Sequence, residues 1–204
     1  MAAGMPAGSA DIGDHELDST SGVEGLLSVA LIGSDKMHRP GHYGGSLLAY
    51  APVGFVLTAL GAVEIAVAGG AVSVAGAMIP DWDQRVPFIS HRGPTHTIWF
   101  ALLLGIVGAA GGTLLGSSAG VARMVALAVV GGIVGTVTVL GHLLADVLTP
   151  MGIRPFEPVS STSYSLNVAK AANPIANYAL LGVGVAAAAV ALVAGGAIAG
   201  VLGL

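Results

Sequence analysis

The 204-residue chain has no cysteine. That excludes disulfides, thiolate metal sites and a cysteine nucleophile, and it leaves the redox compartment unreadable. Charge is nearly as scarce. Asp, Glu, Lys and Arg make up 9% of the residues, where a soluble domain carries roughly 25%. A water-soluble globule does not fit. The 54% hydrophobic content excludes disorder for the bulk of the chain. Basic residues number only 7 and the net charge is −4, so no nucleic-acid face is expected. The 32 glycines show no three-residue period, which excludes collagen. No P-loop, dinucleotide loop or Ser/His/Asp nucleophile motif appears.

What is present is long and apolar. Residues 1–42 read as a polar lead rich in acids; its Leu26–Ile32 stretch is too short to cross a bilayer and lacks the basic flank of a cleavable signal. From Gly44 to Pro80 the only charge is Glu64. This run is too long for one span and suits two short ones, about 44–62 and 65–80, with a turn near Glu64. A polar segment, 81–94, follows. Further helices are expected at about 95–116, 121–148 and 174–203. Gly116–Gly120 marks a turn, 149–173 a polar loop, and Asn173-Pro174 an N-cap and first turn. The expected fold is all-α, a polytopic membrane helix bundle of about five transmembrane helices in a lipid bilayer.

Five spans put alternate loops on opposite sides. Lys36, Arg39, Arg85, Arg92, Arg154 and Lys170 fall on one side and Arg123 on the other. The positive-inside rule makes the first side cytoplasmic, with the N-terminus in and the C-terminus out. Glycines at four-residue spacing (Gly108, Gly112, Gly116; Gly131, Gly135; Gly196, Gly200) are stripes suited to close helix contact in lipid.

The remaining polar residues gather at span ends on the same side. They are His38, His42, His91, His96 and His142, with Asp81, Asp83 and Asp146. His142 and Asp146 lie four apart and share a helix face. Asp146 has no basic residue nearby in sequence, and intramembrane acids are costly, so a cation would relieve it. Mixed imidazole and carboxylate donors suit zinc, manganese or non-haem iron. With His38 set aside, because Pro40 breaks a helical His38–His42 pair, seven candidate ligands exceed one tetrahedral site and point to two ions, the arrangement that clamps a phosphoester in hydrolysis.

The segments "GHYGGSLL" (41–48), "IPDWDQ" (79–84), "SHRGPTHT" (90–97) and "GHLLADVLTPMGIRPFEP" (141–158) resemble the YdjM-type family of membrane-bound metal-dependent hydrolases. A more distant likeness runs to zinc phospholipase C and P1-type nucleases. The resemblance implies an inner-membrane protein with hydrolase chemistry and a divalent metal. It implies His42, Asp81, Asp83, His91, His96, His142 and Asp146 as metal-site residues, with Asp83 and Asp146 as catalytic carboxylates. Thr95 and Thr149 would support the ligands or cap helices. Arg92 would hold a phosphate, since its planar fork matches phosphate oxygens. The chain departs from the family at Gln84, where a His is frequent. Residues 1–36 then read as a polar, disordered extension ahead of the 37–204 domain or as an upstream start chosen in error, and their acidic, Lys-poor composition suggests a salt-adapted, archaeal-type proteome.

The leading expectation is a hydrolase of a phosphoester or lipid-type ester at the cytoplasmic membrane face. The main competitor is a divalent-cation or proton transporter. Transporters place sites at the midplane and show repeated halves; here the polar set lies at one edge and no repeat is seen. A purely structural metal would need a closed four-ligand site.

Overall fold

The structure, a computed structural model, describes residues 37–85 and 92–204. The expected character of the 1–36 lead therefore lies outside the described residues, as does His91. Among the described residues there are five α-helices: α1 (Arg39–Ala59), α2 (Val63–Gly76), α3 (Ile98–Gly116), α4 (Val121–Val147) and α5 (Pro174–Leu202). Two short 3₁₀ turns, Pro80–Arg85 and Pro94–His96, join α2 to α3. Among the described residues there is no strand, only an isolated bridge between Ile153 and Tyr164.

The boundaries follow local chemistry. Thr97 caps α3 by accepting the Phe100 N–H, and Asn173 caps α5 by accepting that of Ala176. Gly61 (φ +75°) and Gly120 (φ +91°) take backbone that a side chain would strain, and both sit in tight inter-helix turns.

Among the described residues, four helical stretches are long and apolar enough to cross a membrane: Val63–Gln84, Ile98–Ala119, Val121–Val147 and Pro174–Leu202. The fifth helix, α1, has 21 residues, or about 31 Å. It matches the hydrocarbon thickness of about 30 Å but not the hydropathy. The reason is its buried face, which carries Gly41, His42, Gly44, Gly45, Ser46 and Thr58. Hydropathy registers what faces lipid, and much of α1 faces protein.

Polarity is inverted across the bundle. Its fully buried side chains include His42, His96, His142, Asn177, Thr149 and Asp146, while Leu114, Leu115, Ile175 and Val201 are exposed. Lipid is as apolar as leucine, so packing rests on close approach and on interhelical hydrogen bonds. Tyr50 donates to the Ala66 carbonyl at 2.6 Å, and the Ser73 and Thr138 hydroxyls pair at 3.3 Å.

The tightest pairs are α3 with α4 and α1 with α5. A Cβ on Gly108 would strike the Gly131 carbonyl, and one on Gly131 the Gly108 carbonyl. Gly112 likewise meets Leu127, and Gly135 meets Leu104. The expected stripes on α3 and α4 are thus real contacts. The α5 stripe is not. Gly200 has open space around it and Gly196 only ordinary contact; α5 approaches α1 through Gly184, against Gly44, and Gly195, against Phe55.

Candidate metal centre

Four elements converge at one end of the bundle. α1 brings His42, the turn after α2 brings Asp81 and Asp83, the turn before α3 brings Arg92, Thr95 and His96, and α4 brings His142 and Asp146. His42, His96, His142, Asp83 and Asp146 are buried, and the Asp81 side chain is 13% exposed.

Both central imidazoles have fixed tautomers. His142 Nδ1 lies 2.7 Å from the Ala77 carbonyl, an acceptor only, so Nδ1 carries the proton. Thr95 donates its hydroxyl hydrogen to Asp83 Oδ2 at 2.9 Å and therefore accepts from His96 Nδ1 at 3.0 Å. The two Nε2 atoms face one another, 3.2 Å apart.

Asp146 Oδ2 closes a triangle with them, 3.4 Å from His96 Nε2 and 3.3 Å from His142 Nε2. It accepts no hydrogen bond. Bonds of about 2.0–2.2 Å to a tetrahedral ion separate the ligand atoms by about 3.3–3.6 Å. The three edges lie close to that separation. Asp81 Oδ1 stands over the two imidazoles at 3.5 and 3.6 Å. Two imidazole nitrogens and two carboxylate oxygens crowd together in a buried site, an arrangement that positive charge at its centre would stabilise. These buried His/Asp groups could hold a metal ion.

His42 stacks on His142, with centroids 3.9 Å apart and planes 7° off parallel. Its Nε2 lies 3.7 Å from Asp81 Oδ2. His42, Asp81 and His142 form a second group of ligand character.

Arg92 has its own place in the cluster. Its guanidinium reaches Asp146 Oδ1 at 2.6 Å, Thr149 Oγ1 at 3.3 Å and the Gly152 carbonyl at 2.9 Å. Its backbone N–H donates to Asp83 Oδ2 at 3.2 Å, from a left-handed conformation (φ +60°) uncommon for a side-chain-bearing residue. The sequence shows no cation beside Asp146; the fold supplies one from 54 residues away. Thr149 donates to the Asp146 carbonyl at 2.8 Å and caps that turn.

Of the sequence-derived residues, His42, Asp81, Asp83, Arg92, Thr95, His96, His142, Asp146 and Thr149 come together here. His91 lies outside the described residues. His38 is exposed, and its backbone N–H donates to Asn177 Oδ1. Sequence reasoning missed Asn177. This buried side chain on α5 also donates to the Ala171 and Asn173 carbonyls, and so ties α5 to the start of α1. A lone amide inside an apolar span was its only signal. The Ala77 carbonyl, which sets the His142 tautomer, has no side-chain signal at all.

Helices apolar on the outside around a buried His/Asp cluster define a multi-pass membrane protein whose cluster could hold a metal ion. The chain belongs to the YdjM inner membrane protein family, whose model matches residues 37–203. No curated protein and no solved structure matches it.

Proposed function

We propose that the protein is a membrane-bound metal-dependent hydrolase of an ester or phosphoester. The observation that carries this reading is the triangle of His96 Nε2, His142 Nε2 and Asp146 Oδ2, with edges of 3.2, 3.4 and 3.3 Å. Three protein ligands with a further position beside a partly exposed carboxylate is the pattern of catalytic zinc sites; structural sites close all four positions. The edges fit tetrahedral zinc better than an octahedral ion, whose neighbouring ligands at similar bond lengths stand about 2.9–3.1 Å apart. His142 Nδ1 is committed to Ala77, so its single free nitrogen serves one ion. The two His/Asp groups therefore favour one ion over the expected two.

When bound, such an ion acidifies water toward a pKa of about 7 and polarises a carbonyl or phosphoryl oxygen. The chain's residues divide the rest. His96, His142 and Asp146 hold the ion. Asp83 orients His96 through Thr95, the supporting role that carboxylates play behind ligating histidines. Asp81, alone among the three acids in reaching solvent, is placed to accept the proton of an attacking water. Arg92 fixes Asp146 so that Oδ2 faces the imidazoles, and its donors to protein leave it a smaller share in holding a phosphate. The cluster belongs to the cytoplasmic face, since the loops on its side carry most of the basic residues.

The test is elemental analysis of the purified chain, with carboxyl-ester, phosphomonoester and phosphodiester panels run with and without chelator. The expected result is bound zinc, and hydrolysis that chelator abolishes and zinc restores. Metal-driven ion flux in vesicles without hydrolysis would favour the transporter reading instead.

A further inference from the structure

A cleft of about 570 Å³ runs between α2, α3 and α4. It exists because α2 and α3 each pack on α4 but scarcely touch one another. Val72, Val107, Leu127 and Val134 are among the apolar side chains that line it, and Glu64 marks its far end. Its near end is formed by Ile79 and Thr138. Ile79 lies two residues before Asp81, and Thr138 one helical turn before His142. Glu64 to Gly76, both in the wall, measures roughly 18 Å along α2. That exceeds the roughly 15 Å of hydrocarbon in one leaflet.

One glycine in the wall has no packing reason to be there. A Cβ on Gly112 would strike the Leu127 carbonyl, whereas a Cβ on Gly111 would meet nothing within 4 Å. Gly111 lines the cleft, and its missing side chain widens it. The cleft opens sideways where Val72, Val107 and Leu115 are exposed. Those residues belong to helices apolar enough to cross a membrane, so the opening faces lipid.

We propose that the cleft between α2, α3 and α4 holds the hydrocarbon chain of an amphiphilic substrate whose polar head reaches the His96–His142–Asp146 cluster. This rests on the hydrolase reading and names its substrate class: a lipid taken laterally from the bilayer. The lining offers a chain apolar contact along its whole length. The polar end of the cleft offers a phosphate or ester the only concentration of charged groups nearby among the described residues. A second cleft, about 550 Å³ between α1, α2 and α5, is apolar too, but Tyr50 lies in its wall and closes on Ala66.

The test uses the full chain in nanodiscs and a single-chain alkyl phosphate bearing a terminal diazirine. Photolabelling reads binding without hydrolysis. The expected result is label on α2, α3 and α4 residues of the cleft, lost in Gly111→Leu and reduced in Gly111→Ala. It should be retained in Gly182→Leu, a matched change on α5 where a Cβ also meets open space. Hydrolysis of alkyl-chain substrates should fall with the label in Gly111→Leu, while hydrolysis of a short soluble ester persists. Label spread evenly over all exposed helices, or equal in both clefts, would overturn the proposal, as would label unchanged by Gly111→Leu. Cleft labelling without turnover of any substrate would instead sink the hydrolase reading and leave the chain-binding cleft standing.

Discussion

His96 Nε2 and His142 Nε2 face one another at 3.2 Å, each with its proton held on the opposite ring nitrogen. Replacing either histidine by alanine should cost stability even in metal-free protein, because it empties a fully buried position and strands the Ala77 carbonyl or the Thr95 hydroxyl. The stabilisation gained on adding zinc should vanish; at 100 times Kd that gain is about 2.7 kcal/mol. Thermal unfolding in detergent across a zinc titration reads both effects. Thr95→Val acts through His96 and should weaken zinc by about 10–100-fold. A zinc-dependent Tm shift that survives in both alanine variants would remove these residues from the ligand set.

Arg92 and Asp146 form a buried pair, so changing either one has two consequences. Removing one partner of a buried pair costs about 3–5 kcal/mol. Arg92→Gln should lose this stability without metal and regain much of it on adding zinc, because the ion then neutralises Asp146. Asp146→Asn should lose stability and zinc together, with no rescue. Thr149→Val should cost about 0.5–1.5 kcal/mol and keep its zinc. Equal rescue of Arg92→Gln and Asp146→Asn by zinc would contradict the assignment.

The glycine contacts separate by helix face. Gly108→Leu and Gly131→Leu force α3 and α4 apart and should abolish the folded monodisperse protein. Gly200→Leu, in open space, should leave it unchanged. Size-exclusion profiles in detergent decide this, and a normal profile for Gly131→Leu would show that the helices can separate at no cost.

Cys introduced at Ser161 and at Ser118 should respond oppositely to an impermeant thiol reagent in intact cells: no label at 161, label at 118. Both positions are exposed. The reverse pattern would place the cluster on the outer face. Deleting residues 1–36 should change neither pattern nor metal content, because the family match begins at residue 37.

The helices were legible because loss of charge is a strong signal over twenty residues, and the expected and observed ends of α4 differ by a single residue, 148 against Val147. The hydropathy of α1 was harder to read, since its small and polar residues serve α4 and α5. His142 and Asp146 were legible as a pair through helical spacing. The union of Arg92 with Asp146 was not, because it depends on how the 3₁₀ turn before α3 folds back onto α4. Gly196 and Gly200 show the same limit. Spacing finds a stripe of small residues, but only the rotation of the helix decides which stripe meets a neighbour.

The pairing of α1 with α5 has a consequence for how the chain is made. Of the five described helices, the first to leave the ribosome is the least apolar, and its principal partner is the last of them. Until residue 174 and beyond emerge, the Gly44 face of α1 has no Gly184 to meet. The position of His42, on α1, is thus held open until α5 has been made. A nascent chain therefore carries an unfinished His/Asp cluster until α5 emerges.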